Sequence, residues 1–373
     1  MRTDGDVRFA TFNASLTRDA AGQLVADLSN PINAQARAVA EIIQRTRPDV
    51  LLVNEFDYVE DGVAAELFRD NYLEVSQNGA EPVAYPYSFV APSNTGIPTG
   101  FDLNRDGVIG GGDDAFGFGL FAGQFGMVVY SRYPIDHDAV RTFQHFLWKD
   151  MPGNLMPTGS YSPEEQDILR LSSKSHWDLP IFLGHRAVHF LVSHPTPPTF
   201  DGAEGRNRRR NHDEIRFWAD YISGPSASSY IHDDAGHTGG LGPGELFVIA
   251  GDQNCDPNDG DSLAGSIEAL LDHPGVNSSV TPSSEGGAEA SILQGGANLV
   301  HVGNPAHDTA DFNDYPAPGN LRVDYVLPSK ALRILDAGIF WPVRADPLSR
   351  LTGVFPFPSS DHRLVWVDVR LPH

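Results

Sequence analysis

The sequence predicts an α/β protein, and three stretches near its start support this class. Residues 7–13 alternate apolar and polar side chains and then stop at Asn13, as a core strand does where it ends at a site. Residues 33–47 place Ala, Val and Ile at helical spacing. Residues 50–53 form a short apolar strand that runs toward Glu55. Strand, helix and strand within about fifty residues are typical of an α/β fold.

The rest of the chain continues this pattern with longer connections. Residues 76–124 are rich in Gly, Pro and Asn, which predicts a long loop excursion. Ser162 and Glu165 are spaced as a capping box at the start of a helix, and residues 213–222 form an amphipathic helical stretch. Further strands are predicted at 127–130, 188–193, 246–250, 321–327 and 364–371.

The domain organisation and the broad class follow from length and composition. No internal repeat or linker is apparent in the 373 residues, of which 40% are hydrophobic. We therefore predict one domain over 1–373, with the 76–124 loop as an insertion, and a monomer. The single cysteine, Cys255, excludes an internal disulfide, and no run reaches the roughly 18 apolar residues of a membrane span.

The charge of the chain favours some partners over others. The formal net charge is −23, and an acidic surface repels polyanions and weakens non-specific nucleic-acid binding. Nucleic acid is therefore a possible but disfavoured partner. The start of the chain has no apolar signal segment, so the protein is either cytosolic or begins after a removed signal. The acidic, lysine-poor surface favours export.

Polar residues stand repeatedly where predicted strands end. One such ending means little, because strands must end somewhere, but five along one chain suggest a shared site. Strand ends that meet at one edge of a sheet are where α/β proteins build sites. The polar residues in these positions are Asn13, Glu55, His194, Asp252, Asn254, Asp361 and His362.

Seven segments around these residues resemble, in order, the motifs of the endonuclease/exonuclease/phosphatase superfamily. They are TFNAS, LLVNEFD, SRYPI, VSHPTPP, AGDQN, RVDYVL and SSDHRLV. Each is weak alone, but GD-x-N followed by a late SDH is specific in combination, and the segments cover nearly the whole chain. The resemblance implies a DNase I-like fold, a four-layered α/β sandwich in which two mixed β-sheets pack face to face with helices outside.

The same resemblance implies a divalent-cation site and a water-orienting pair. Glu55 is expected to be the main carboxylate ligand of Mg²⁺ or Mn²⁺, with Asn13 beside it and Asp361 contributing to metal or water binding. Hard cations prefer such oxygen ligands. Asp252 is expected to orient or deprotonate the attacking water, and Asn254 to hold a phosphoryl oxygen or the nucleophile.

It also implies a catalytic histidine. His362 takes this place, and Asp324 is expected to fix its tautomer and favour its protonated form, because a neighbouring carboxylate raises the pKa of a histidine. His194 matches a second, phosphate-contacting histidine. The motif around His194, SHPTPP, departs from the family's usual His-Leu.

An arginine-rich stretch, residues 205–211, stands out against the acidic background. Arg206 or Arg210 is the expected phosphate ligand at the rim of the pocket, because a guanidinium offers forked donors. The alternative is a solvated loop and helix start whose arginines pair with surface carboxylates.

A calcium-type loop lies inside the 76–124 insertion. It follows the D-x-N-x-D-G pattern with a carboxylate at the twelfth position, where EF-hands use Glu and this chain has the shorter Asp. Its flanks do not resemble helices, so we expect a lone Ca²⁺ loop that stiffens the insertion; the alternative is an Asx-rich surface turn. The expected ligands are Asp102, Asn104, Asp106, the Val108 carbonyl and Asp113.

Three functions fit the sequence. The favoured one is a metal-dependent hydrolase of a small or lipid-like phosphate ester, which suits the acidic surface and long insertion. A nuclease is the second, but it needs a basic groove, for which only residues 206–210 offer a start. A non-catalytic calcium-binding surface module is the third, and the full set of polar strand ends argues against it.

Overall fold

Two β-sheets pack face to face in the computed structural model, which describes residues 5–372. The strands are β1 (Asp6–Leu16), β2 (Val50–Phe56), β3 (Tyr87–Phe89), β4 (Met127–Ser131), β5 (Arg141–Thr142), β6 (His176–Leu183), β7 (Arg186–Ser193), β8 (Leu246–Asp252), β9 (Ala310–Asp311), β10 (Asn320–Leu321), β11 (Asp324–Pro328), β12 (Arg333–Ile339) and β13 (Val365–Arg370). The helices are α1 (Gln23–Leu28), α2 (Ala34–Thr46), α3 (Val63–Phe68), α4 (Pro163–Ile168), α5 (Arg206–Ile222), α6 (Pro225–Ser228), α7 (Glu268–Leu271) and α8 (Glu285–Gln294).

Both sheets are mixed. The first has the strand order β12-β13-β1-β2-β4-β3, in which only β1 and β2 run parallel. The second has the order β11-β8-β7-β6-β5, in which only β7 and β8 run parallel. Strands β9 and β10 form a separate antiparallel pair. The predicted α/β sandwich of two mixed sheets is confirmed.

The core has an inner layer and two outer ones. Between the sheets, buried side chains such as Leu52 and Val248 meet, and the rings of Phe9 and Phe190 lie 5.5 Å apart. Helix α2 covers the outside of the first sheet, and its apolar stripe, which includes Ile43, is buried there. Helix α5 covers the second sheet and buries Trp218. Helix, sheet, sheet and helix make the four layers.

Several elements differ from those predicted. Strand β6 is not evident in the sequence, because His, Asp and Pro interrupt its apolar residues; in the fold Asp178 is buried and accepts hydrogen bonds from Tyr221 Oη at 2.6 Å and from the ring of His189 at 2.7 Å. The strand predicted at 321–327 is two short strands, β10 and β11. Helix α5 begins at Arg206, so the arginine cluster lies on its first turns rather than in a loop.

Other predictions agree with the structure. The capping box of α4 is present, with the Ser162 hydroxyl accepting from the Glu165 N–H at 3.2 Å and the Glu165 carboxylate accepting from the Ser162 N–H at 2.7 Å. The 76–124 insertion contains only the short edge strand β3 and one helical turn, Gly112–Asp114. Cys255 is buried. Within residues 5–372, no helix is both long and apolar enough to cross a membrane.

Candidate active site

The two sheets meet at one end through hydrogen bonds between polar side chains. Asn13, in β1, donates from Nδ2 to Asp252 Oδ2 of β8 at 3.0 Å and to Glu55 Oε1 of β2 at 3.1 Å. The backbone N–H of Asp252 donates to Asn54 Oδ1 at 3.2 Å. The strand ends that the sequence singled out therefore converge, as predicted, at the seam between the sheets.

Unusual backbone conformations direct these side chains toward the seam. Ser15, Glu55 and Asn254 have positive φ angles of 48°, 54° and 50°. The β1–β2 pairing also shifts register just after Asn13. Left-handed conformations at non-glycine residues cost about 1–3 kcal/mol each and tend to cluster at functional sites. Ser15 and Glu55 lie one residue before the ends of β1 and β2, and Asn254 lies two residues after the end of β8, so all three distort the backbone where the strand ends meet.

Asp252 is the centre of the cluster. Its Oδ1 accepts the backbone N–H of Asn254 at 2.8 Å, and its Oδ2 lies 3.3 Å from His194 Nε2 and 3.7 Å from His362 Nε2. Burial alone would raise the pKa of Asp252, but the two histidines and the Asn13 amide outweigh burial and lower it. The carboxylate is therefore ionised at neutral pH and can hold or deprotonate a water molecule.

His362 and Asp324 form a buried pair beside it. His362 Nδ1 lies 2.9 Å from Asp324 Oδ2, and Asp324 is opposite Asp252 in the β8–β11 ladder. Burial disfavours charge on His362, but Asp324 and Asp252 together raise its pKa well above the ordinary value. Burial also raises the pKa of Asp324, to about 6, so the shared proton resides on the imidazole at neutral pH.

Neighbouring groups fix this pair in place. The Thr309 hydroxyl accepts the backbone N–H of Asp324 at 3.0 Å, and the Ser360 hydroxyl accepts that of His362 at 3.0 Å. The ring of Phe312 packs edge-on against His362 with centroids 5.3 Å apart. Nε2 of His362 is thus the nitrogen that faces the cluster.

His194 lies on the other side of Asp252 and differs from His362 in charge. It is buried, and burial together with the positive charge of Lys174 lowers its pKa to about 4, so the ring is neutral at pH 7. Its Nε2 faces Asp252, whereas its buried Nδ1 has no hydrogen-bond partner among the described residues. The geometry therefore places His194 as a contact of Asp252. The predicted phosphate contact stays untested.

Glu55 and Asp361 form the acidic side of the site. Burial and then the negative charge of Asp361 raise the pKa of Glu55 to about 7. Two carboxylates crowded in this way fit a divalent cation, because the cation removes their repulsion and prefers oxygen ligands. Asn13, as oriented, turns Nδ2 to Glu55, and its Oδ1 accepts the Ser15 N–H at 3.3 Å. Its amide must rotate to offer oxygen to a cation.

Among residues 5–372, one group of three acidic or histidine side chains brings its potential ligand atoms within 4.8 Å of one another: Asp252, Asp324 and His362. This group is a possible metal site by distance. Because His362 is protonated and bonded through Nδ1 to Asp324, it repels a cation and lacks a free lone pair there. The Glu55–Asp361 side suits a cation better.

The two predicted phosphate-binding arginines are placed differently. Arg210 is half-buried; its Nε donates to the Leu171 carbonyl at 2.8 Å, and its Nη2 donates to the carbonyls of Phe116, Arg170 and Ser172 at 2.6–3.1 Å. These donors hold Phe116 of the insertion and residues 170–172 before β6, and the phosphate contact predicted for Arg210 stays a prediction.

Arg206 is the first residue of α5. Its Nη2 lies 3.7 Å from Asp113 Oδ1, and its side chain is partly exposed. Asp113 is the residue predicted to close the calcium loop. Arg206 therefore links α5 to the 76–124 insertion and stays a proposed phosphate ligand.

The calcium-type loop curls as its motif requires over its first half. Asp102 accepts the N–H groups of Asp106 and Gly107 at 3.1 and 3.0 Å, and Asp106 accepts that of Val108 at 2.8 Å. Gly107 has the positive φ expected at the sharp turn, 87°. The closing Asp113 faces Arg206 instead, and this loop provides no group of three close acidic ligands among the described residues.

Sequence reasoning missed several residues that shape the site. Asn54, Thr309 and Ser360 act through hydrogen bonds to backbone groups of Asp252, Asp324 and His362. Lys174 interacts with the site carboxylates from a buried position. The signals for Asn54 and Ser360 were their places inside the quoted motifs LLVNEFD and SSDHRLV. Lys174 had none, because strand β6 after it was not recognised.

Comparisons with known proteins agree with this fold. The sequence model of the Endonuclease/Exonuclease/phosphatase family matches residues 10–362, and no match is found among curated proteins. An endonuclease/exonuclease/phosphatase structure from Beutenbergia cavernae DSM 12333 is 17% identical, with a TM-score of 0.52 over 98% of this chain and 72% of that chain.

Two other solved structures resemble the chain more distantly. Truncated Caenorhabditis elegans TDP2 is 16% identical, with a TM-score of 0.48 over 99% of this chain and 98% of that chain. The beta toxin 275-280 structure from Staphylococcus aureus is 14% identical, with a TM-score of 0.47 over 97% of this chain and 99% of that chain. At such identities the likeness concerns the fold, and specificity must be argued from the site.

Proposed function

Since the chain belongs to the endonuclease/exonuclease/phosphatase family, whose members are phosphoesterases and nucleases, we propose that it hydrolyses a small or lipid-like phosphate ester at the Asp252 cluster. One observation carries the proposal. A single ionised oxygen, Asp252 Oδ2, lies within 3.7 Å of nitrogen atoms of Asn13, His194 and His362. The His362–Asp324 pair and the Glu55–Asp361 carboxylates belong to the same cluster.

Each residue of the cluster has a distinct task in this proposal. Asp252 orients the attacking water or takes its proton, and its lowered pKa keeps the carboxylate ionised at neutral pH. The N–H of Asn254 donates to Asp252, and its side-chain Nδ2 donates to the Pro195 carbonyl at 3.1 Å; once released from that carbonyl, the amide would hold the phosphoryl oxygen or nucleophile. The His362 imidazolium, held by Asp324, stabilises negative charge that grows on the phosphoryl oxygens.

Glu55 and Asp361 would hold the divalent cation, with Asn13 as a further oxygen ligand after rotation of its amide. When bound, a Mg²⁺ or Mn²⁺ ion supplies charge neutralisation and polarisation of the phosphorus–oxygen bond. Burial and the negative charge of Asp361 raise the pKa of Glu55 to about 7, which supports this position. The Ser15 hydroxyl, which donates to Asp361 Oδ1 at 3.2 Å, orients the second carboxylate.

The choice of a small or lipid-like ester over nucleic acid is supported by charge. The chain carries a net charge of −23, and the donors of Arg210 are largely used by backbone carbonyls, whereas Arg206 contacts only Asp113 at 3.7 Å among the ion pairs of the described residues. A long polyanion binds tightly when many Lys and Arg side chains contact its phosphates and release the counterions bound there. An acidic surface offers few such side chains. A nuclease stays the second candidate because the site chemistry is the same.

The substrate class can be tested with four substrates at different salt concentrations. We expect Mg²⁺-loaded protein to hydrolyse bis-p-nitrophenyl phosphate or p-nitrophenyl phosphate at rates that change little between 50 and 200 mM salt. Plasmid DNA and single-stranded RNA should be poor substrates. Efficient plasmid nicking that falls steeply with salt would instead establish the nuclease, because the slope reports the number of phosphates contacted.

We also propose that residues 102–113 bind Ca²⁺ and stiffen the insertion. The curled first half of the loop supports this, and closure requires Asp113 to leave Arg206. Calcium should raise the Tm of EDTA-stripped protein by a few degrees, because a ligand that binds only the folded state stabilises it. Asp102→Ala should abolish that increase, whereas Asp138→Ala, an exposed residue outside the loop, should retain it. An equal calcium response in both variants would refute the site.

A further inference from the structure

Lys174 is a buried lysine whose ammonium has no partner in the described protein. It lies two residues before β6 and is 6% exposed. Among residues 5–372, no hydrogen bond and no carboxylate within salt-bridge distance of its Nζ is present. Its Nζ is not among the fully enclosed unpartnered side-chain atoms, so part of that atom remains accessible. The chain has only two other lysines, Lys149 and Lys330.

The backbone around Lys174 is held firmly beside the site. Its carbonyl accepts the Asn94 N–H at 2.8 Å, and the neighbouring Ser173 donates from its hydroxyl to the His194 carbonyl at 3.3 Å. The Ser173 N–H donates to Glu214 Oε1 at 2.6 Å. Lys174 is therefore anchored to the strand end that carries His194, and its side chain extends from a rigid base.

Its charge acts on the site. Burial lowers the pKa of Lys174, while Glu214, Glu55 and Asp252 act in the opposite direction. The same positive charge helps to keep His194 neutral. Glu214 is not a direct partner, since its two oxygens accept the N–H groups of Ser173 and Thr196, each at 2.6 Å. The ammonium therefore interacts electrostatically with the site carboxylates but forms no hydrogen bond with them.

We propose that Lys174 donates a hydrogen bond to a non-bridging oxygen of the substrate phosphoryl group, on the His194 side of Asp252. The inference rests on the proposed function and names a further residue for it. A buried charge without a partner is costly, and a phosphate oxygen that enters the cleft would supply the missing acceptor. Lysine commonly binds phosphate in this way, as a point charge.

The competing account is structural: Lys174 serves only to balance the charges of Glu55, Asp252 and Glu214. The two accounts predict different effects of Lys174→Met on thermal stability. If Lys174 is a structural counterion, Lys174→Met lowers the Tm. If Lys174 instead binds the substrate phosphoryl group, the same change removes an unpaired buried charge from the free protein and leaves the Tm unchanged or higher.

The test compares Lys174→Met with Lys330→Met, which alters an exposed lysine away from the site. With saturating Mg²⁺, we expect Lys174→Met to lower kcat/KM by about 100-fold, as loss of one transition-state donor does. The inhibition constant for inorganic phosphate should rise about tenfold or more, with no decrease in Tm. Lys330→Met should match the wild type in all three measurements.

Two results would overturn the inference: wild-type kcat/KM and phosphate inhibition in Lys174→Met, or a loss of activity accompanied by a decrease in Tm. If the methionine variant does not fold, Lys174→Gln is measured in its place. If the wild type hydrolyses none of the esters, the proposed function fails separately. Binding of inorganic phosphate by calorimetry, weakened in Lys174→Met but not in Lys330→Met, still decides the role of Lys174.

Discussion

His362→Ala lowers kcat for bis-p-nitrophenyl phosphate by about a thousandfold or more, within the range that acid–base and electrostatic groups contribute. The side chain that is removed carries a proton at neutral pH, because Asp324 and Asp252 overcome the cost of its burial. Alanine leaves the growing charge on phosphorus without this donor. Steady-state kinetics with Mg²⁺ measure the effect, and His237→Ala, which changes an exposed loop histidine, is the matched control.

A pH profile shows whether the imidazolium is the active form. Asp324→Asn removes the carboxylate 2.9 Å from Nδ1, so the pKa of His362 falls toward its ordinary value of about 6.5. Since the protonated form exists only below the pKa, the alkaline limb of kcat/KM should move to lower pH in Asp324→Asn. An unchanged limb, or near-wild-type turnover by folded His362→Ala, would remove His362 from the mechanism.

Glu55→Gln has the second largest expected effect, and it separates metal binding from folding. The variant loses one charge of the carboxylate pair, so the Mg²⁺ concentration for half-maximal activity should rise by about tenfold or more. Without metal, the variant should be more stable than the wild type. The folded-state pKa of Glu55 is raised to about 7, so its ionisation disfavours folding, increasingly as pH rises from about 4.5 through 7.

Above pH 7, EDTA-treated Glu55→Gln should therefore unfold at a higher temperature than EDTA-treated wild type. Adding Mg²⁺ should raise the Tm of the wild type and leave that of the variant nearly unchanged. Glu60→Gln, an exposed glutamate five residues away, is the control and should follow the wild type. A metal-free Glu55→Gln protein that is less stable than wild type at pH 8 would contradict the cation site.

The sequence allowed the convergence of the strand ends to be predicted, because each such end shows locally as a polar residue after an apolar run. Asn13, Glu55 and Asp252 illustrate this, because short-range patterning marked all three. In the fold, the Asn13 amide lies within 3.1 Å of both carboxylates. The fold class followed from the same alternation of strands and helices.

What the sequence did not reveal depends on long-range packing. Arg210 matched a phosphate ligand in type and position, but its hydrogen bonds to four backbone carbonyls are visible only in the fold. Lys174 precedes a strand whose Pro180 and Asp178 obscure its pattern, and its place near His194 comes from the pairing of β6 with β7. The orientation of Asp113 toward Arg206 likewise depends on how α5 packs on the insertion.

The most direct test of the central claim is hydrolysis of bis-p-nitrophenyl phosphate by EDTA-stripped protein before and after Mg²⁺ or Mn²⁺ is returned. The account predicts no turnover without metal, recovery with metal, and no recovery in His362→Ala. Folded wild-type protein that stays inactive with every metal on diesters, monoesters and nucleic acids would contradict it, as would hydrolysis that does not depend on metal.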